Sequence, residues 1–100
     1  MSLDQFMREE ARLIILKALA EQQDESLGSE MLRRHLATFA IRREREWVHD
    51  ELRWLAQMGA VTITAAGTIL IATLTEKGAR HLAREIAIEG VMRPSRPRQQ

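Results

Sequence analysis

The chain contains no cysteine. Disulfides and thiolate metal sites are therefore excluded, and the composition fits a cytosolic protein. No apolar run approaches the roughly 18–20 residues that a membrane span needs. The opening MSLDQFMREE is acidic and amphipathic, unlike a signal peptide, so no membrane association is expected. A strong charge of one sign is missing too, with a net +1 over 100 residues. Arg93, Arg96 and Arg98 sit in the last eight positions, which hold no acid; removing these three charges from the total leaves −2 on residues 1–92. Domains with strong DNA affinity usually carry a basic balance or stripe, and the global balance offers neither. Catalytic signatures are absent as well. There is no glycine-rich phosphate loop and no nucleophile-elbow serine, and His35, His49 and His81 lack metal-ligand spacing. Glu9-Glu10 and Asp50-Glu51 are adjacent pairs whose side chains diverge on a helix. The expectation is a protein with no catalytic residue, no metal and no cofactor.

What the chain does have is helical periodicity. Its 45% hydrophobic and 29% charged residues are ordinary for a globular domain, and 100 residues allow one domain with a modest core. Residues 3–22 read as a first helix, with Leu3, Met7, Ala11, Ile14 and Ala18 on a core-facing stripe. Phe6, Leu13, Leu16 and Ala20 form a second apolar stripe. It suits either a homodimer interface, with the first and last helices pairing between copies, or a cover from the C-terminal helix of the same chain.

A polar loop with a short strand at Ser26-Leu27 precedes Ser29, which reads as the N-cap of a second helix reaching about Phe39, with Met31, Leu32, Leu36 and Phe39 inward. The turn Ala40-Ile41-Arg42 leads to a third helix over 43–58, closed by Gly59. Two β-prone segments, 60–64 and 68–74, flank Ala65-Ala66-Gly67, and Thr75 caps a fourth helix to about Ile88. Pro94 and Pro97 mark a loose basic tail, giving a domain over 1–90 and a flexible tail over 91–100.

Helix, glycine stop, hairpin and capped helix, after two further helices, is the wiring of a winged helix-turn-helix: a mainly α fold with a three-helix core, a two-stranded wing and a C-terminal helix. Leu52-x-x-Leu55-x-x-x-Gly59-Ala60-Val61 resembles the passage from a recognition helix into a wing. Leu74-Thr75-Glu76-Lys77-Gly78-x-x-x-Leu82 resembles the LTxxG exit from the wing of many bacterial winged-helix regulators. From its MSLDQFMREEARLIILKALAEQ opening through REREWVHDELRWLAQMGAVT to IEGVMRP, the chain also resembles a family of small, regulator-like proteins of Mu-like phages and prophages. That resemblance implies a phage-encoded protein acting in the bacterial host cytoplasm.

On a helical wheel of the third helix, Trp47, Val48, Glu51, Leu52, Trp54, Leu55 and Met58 share an arc of about 160°. Arg43, Arg45, Glu46, His49, Asp50, Arg53 and Gln57 occupy the other side. In a DNA-binding winged helix this outer face enters the major groove. The expected duplex contacts are Arg42, Arg43, Arg45, His49 and Arg53, with Arg93, Arg96 and Arg98 tracking phosphates from the tail. Against that reading, Glu46 and Asp50 repel phosphate, and a mixed-sign face laced with Arg43–Glu46, Glu46–Arg53 and His49–Arg53 pairs is ordinary for a solvated helix. The wing tip also lacks the Arg or Lys that enters a minor groove. A module binding a phage or host protein is the alternative. Trp47 and Trp54 read as core residues whose indole N–H groups find acceptors rather than as a base-stacking platform. Glu51, a carboxylate in the apolar arc, needs a basic partner such as Arg12 or Lys17.

Overall fold

The computed structural model describes residues 2–96. Seven elements follow in order: α1 (Leu3–Ala20), β1 (Ser26–Gly28), α2 (Ser29–Ala37), α3 (Arg45–Gln57), β2 (Val61–Ala66), β3 (Ile69–Leu74) and α4 (Glu76–Leu82). Helix α1 begins where the Ser2 hydroxyl accepts a hydrogen bond from the Gln5 N–H. It contacts α2, α3, α4, β1 and β3, so it is the central rod of the fold. This position explains its two apolar stripes. Leu13 and Leu16 are buried inside the chain, while Phe6 and Ala20 remain exposed. The Phe6–Leu13–Leu16–Ala20 stripe is therefore not a continuous free surface, and α1 and α4 pack on each other within one chain. Truncating Leu16 would remove core packing worth about 2–5 kcal/mol.

Helix α2 stops earlier than its periodicity predicts. Ala40 adopts φ 64° and the Ile41 N–H donates to the Leu36 carbonyl, which turns the chain away after Ala37. Ile41, not Phe39, then fills the core beside Leu32 and Leu36, leaving Phe39 and Met31 outside. Gly28 occupies the N-cap position, and Ser29 begins the helix with its side chain buried.

Helix α3 ends as expected, with Gly59 at φ 80° and the Ala60 N–H reaching back to the Leu55 carbonyl. The hairpin turns at Gly67-Thr68, pairing Ala66 with Ile69, slightly later than the sequence suggests. Strand β1 pairs antiparallel with β3, so the sheet has three strands in the order β1-β3-β2. The Ser26 and Thr73 hydroxyls meet across that pairing at 2.6 Å.

The LTEKG segment bolts α4 to the end of α3. The Thr75 hydroxyl donates to the Gly59 carbonyl and accepts from the Gly78 N–H, while Lys77 Nζ donates to the Met58 carbonyl at 2.7 Å. Gly78 lies so close to Ala60 that a Cβ would collide with the Ala60 carbonyl oxygen and with Leu74. Helix α4 is shorter than predicted because Arg84 takes φ 63° and redirects the chain. His81, fully buried, then fastens the C-terminal segment. Its Nδ1 accepts from the Ile88 N–H, so Nε2 carries the proton and donates to the Met92 carbonyl. Ile88, Val91 and Pro94 are buried, and the Met92 N–H donates to the Glu9 carbonyl of α1. Packing thus continues beyond residue 90, where a flexible tail was expected, because His81 and α1 supply partners for this segment. Among the described residues no helix is long and apolar enough to cross a membrane.

Candidate nucleic-acid interface

The inner face of α3 carries a buried charge. Glu51 accepts from Arg12 Nε at 2.6 Å and from Arg8 Nη1 at 2.5 Å. Arg12 also donates to the Gly90 carbonyl and lies 3.8 Å from the Trp54 ring centroid. The two tryptophans follow the same design. Arg8 and Arg43 sit 5.3 and 5.5 Å from the Trp47 centroid. Both indoles are half-buried against the core with cations over their faces, so those faces do not form a free stacking platform. No indole N–H hydrogen bond to the chain is found among the described residues, against the sequence expectation. Arg12 is a partner of Glu51, as expected; Lys17 is exposed and plays no part, and Arg8 takes that place. The i, i+4 spacing of Arg8 and Arg12 on α1 was the signal for it.

The outer face of α3 is open to solvent. Arg45, His49 and Arg53, spaced four residues apart, line one edge of a cleft of about 370 Å³ whose other wall is the hairpin at Ala65, Gly67, Thr68 and Leu70. Arg45 approaches Glu46 at 3.6 Å and Arg53 approaches Asp50 at 3.8 Å; both contacts are long and solvent-exposed, so they hold the guanidiniums only weakly. The expected Arg43–Glu46, Glu46–Arg53 and His49–Arg53 pairs are not among the salt bridges of the described residues. Asp50 lies outside the cleft lining, whereas Glu46 lines it beside the bases.

His49 joins this face to the wing through Ser29. The Leu70 N–H donates to Ser29 Oγ at 3.1 Å, and the same hydroxyl shares a hydrogen bond with His49 Nε2 at 3.0 Å. Burial first, and then the charges of Arg53 and Arg45, hold the His49 imidazole below its ordinary pKa. One hydroxyl thereby connects α2, α3 and β3. Sequence reading placed Ser29 as a cap because its inward direction is set by tertiary packing, and no local signal marks it.

The other predicted contacts are dispersed. Arg42 is exposed at the N-terminal approach to α3. Arg43 precedes the helix and is drawn inward, its Nη2 2.9 Å from Met7 Sδ as well as over Trp47. Arg93 and Arg96 lie on the C-terminal segment near Arg84, which donates to the Pro94 carbonyl and whose pKa is lowered by burial and then by those two charges. Arg98 lies outside the described residues. The wing tip, Ala65 to Thr68, is exposed and uncharged. Among the described residues no cluster of three or more His, Asp or Glu side chains is placed to hold a metal.

No protein-family profile matches the chain. It is similar to the uncharacterised protein gp26 of Escherichia phage Mu, with 29% identity over 96 residues that cover 96% of this chain and 98% of that one. Two solved complex structures of hsRosR share its architecture. The RosR-S4 complex gives a TM-score of 0.63 at 17% identity, covering 79% of this chain and 73% of that one. The RosR-S1 complex gives 0.62 at 16% identity, covering 85% and 69%. The fold is a winged helix.

Proposed function

We propose that the chain is a phage-encoded DNA-binding protein, a transcriptional regulator that acts in the cytoplasm of its bacterial host and places α3 in the major groove of duplex DNA. The observation that carries this reading is the Arg45–His49–Arg53 stripe, its two arginines exposed and its cleft facing the hairpin. Two exposed arginines two turns apart, with the His49 imidazole between them, match the way such helices meet phosphates and guanine edges. The winged-helix fold and the likeness to a Mu protein support it. Arg42 extends the contact at the N-terminal end of α3, and Arg96 and Arg98 supply outlying phosphate contacts. Arg43 contributes less than its neighbours, because its guanidinium is held against Trp47 and Met7.

The test is duplex binding by Arg45→Ala plus Arg53→Ala. Both side chains are exposed and weakly paired, so the variant keeps its fold, and its affinity drops by more than about tenfold, one charge-assisted contact being worth roughly 1–3 kcal/mol. Unchanged affinity would overturn the assignment. A second reading, a module that binds a phage or host protein and not DNA, is favoured by the uncharged wing tip and by the two acids that offset the two arginines on α3. Recovery from infected cells of a single partner that nuclease does not release, with no duplex binding in vitro, would establish that reading instead.

A further inference from the structure

Helix α2 presents an outward row that neither the core nor the proposed DNA face uses. Met31 and His35 stand at successive turns of α2 and Phe39 follows in the turn after the helix, with Met31 57% and Phe39 51% exposed. Phe39 is held upright, its ring edge-on to His35 with centroids 5.3 Å apart. Beside it opens a hollow of about 460 Å³ floored by Leu13 and Ile14 of α1 and closed by Met92 of the C-terminal segment. A smaller hollow of about 310 Å³ continues past His35 toward Met31 and Leu27. The face thus holds an apolar projection next to an apolar recess.

Its rim carries Glu10, Lys17, Glu21 and Arg93. None of the four enters a salt bridge among the described residues, although these chains sit around one opening. Two acids and two bases balance. A nucleic acid would call for an excess of bases at such a rim, and a strongly acidic or basic partner for one sign. A two-fold axis calls for what is present, because an isologous interface brings each residue of the patch against a different residue of the same patch.

We infer that this α1–α2 face is where two copies of the chain associate, each inserting its Phe39 into the partner's hollow while the acids of one rim meet the bases of the other. The interface shares only Leu13, at the floor of the hollow, with the Phe6–Leu13–Leu16–Ala20 stripe. It also leaves Arg45, His49 and Arg53 outside the contact, so both α3 helices stay accessible. The association does not depend on DNA binding and is measured without nucleic acid.

The experiment is sedimentation equilibrium of the full chain at 5–100 µM, about the range of ordinary homodimers, with circular dichroism as the control for folding. The expected mass is twice 11.5 kDa. Phe39→Asp weakens association by more than about tenfold without changing the spectrum, since the ring is half exposed in the monomer, and Lys17→Glu weakens it further at low salt. A chain that stays at 11.5 kDa at 100 µM overturns the inference, including the case where the face captures an unrelated protein. A dimer that survives both Phe39→Asp and Met31→Asp overturns it equally, by placing the interface elsewhere.

Discussion

Replacing Glu51 by alanine isolates the ion cluster that joins α1 to α3. The Glu51 side chain is 2% exposed, Arg12 12% and Arg8 34%. Removing the carboxylate leaves Arg8 free to turn toward Asp4, 3.0 Å away, and water. Arg12 has no such escape: it keeps the Gly90 carbonyl and the Trp54 ring, but its charge is left without a counterion in a nearly closed site. Removing one partner of a buried pair costs about 3–5 kcal/mol. Because one of the two cations can reach solvent, the lower end applies, about 3 kcal/mol. For a chain of this size that lowers Tm by roughly 12–24 °C. Glu51→Gln retains an acceptor and loses less, about 2 kcal/mol, in line with the worth of a charge-assisted hydrogen bond. The assay is urea unfolding, single and paired with Arg12→Met. In the Arg12→Met background the loss from Glu51→Gln shrinks by at least about 1 kcal/mol, since groups in one network couple. A Glu51→Ala protein within about 0.5 kcal/mol of the parent, or an equal loss in both backgrounds, would refute the cluster's role.

Two further perturbations probe the wing and the α3–α4 joint. His49 has its pKa lowered by burial and by Arg53 and Arg45, so the unfolded chain takes up its proton more readily; stability from the neutral ring is full above about pH 6.5 and declines as pH falls toward the folded value. The urea midpoint therefore falls between pH 7.5 and 5 more steeply in the parent than in His49→Gln, and parallel curves would contradict the assignment. Glu30, held at about 2 chiefly by its hydrogen bond from Arg33, acts only in a lower window, beneath about pH 4.5, and does not mimic the effect. Gly78→Ala forces a methyl onto the Ala60 carbonyl and costs on the order of 1–3 kcal/mol by overpacking; thermal unfolding within 1 °C of the parent would show that α4 can shift freely.

The parts of the fold that local chemistry dictates were legible in the chain. Gly59 and the Thr75–Gly78 pair announce the ends of α3 and the start of α4 because left-handed geometry and capping are short-range. The Trp47–Met58 arc likewise gave the inner face of α3 and singled out Glu51. Features decided by distant neighbours were not legible. Phe39 continues the α2 pattern, yet a left-handed Ala40 brings Ile41 into the core instead. Ser29 has the side chain of a cap, but its hydroxyl is claimed by Leu70 and His49. Arg43 belongs to the outer wheel only if α3 begins there, and the helix begins at Arg45. The second stripe of α1 looked like a partner surface because a central helix must be apolar on more than one side. The segment after Gly90 looked loose because its anchors, His81 and the Glu9 carbonyl, lie on other elements.

The central claim is that α3 meets duplex DNA through its Arg45–His49–Arg53 edge. The most direct measurement is the affinity of the wild-type chain for labelled duplex, by fluorescence anisotropy, between 50 and 200 mM salt, roughly the span over which phosphate contacts weaken measurably. The account predicts a linear fall of log affinity with log salt, and a slope flattened by between one and about two units in Arg45→Ala plus Arg53→Ala, about one for each phosphate that the variant no longer neutralises. No measurable duplex affinity at the lowest salt, or the same slope in parent and variant, would contradict it.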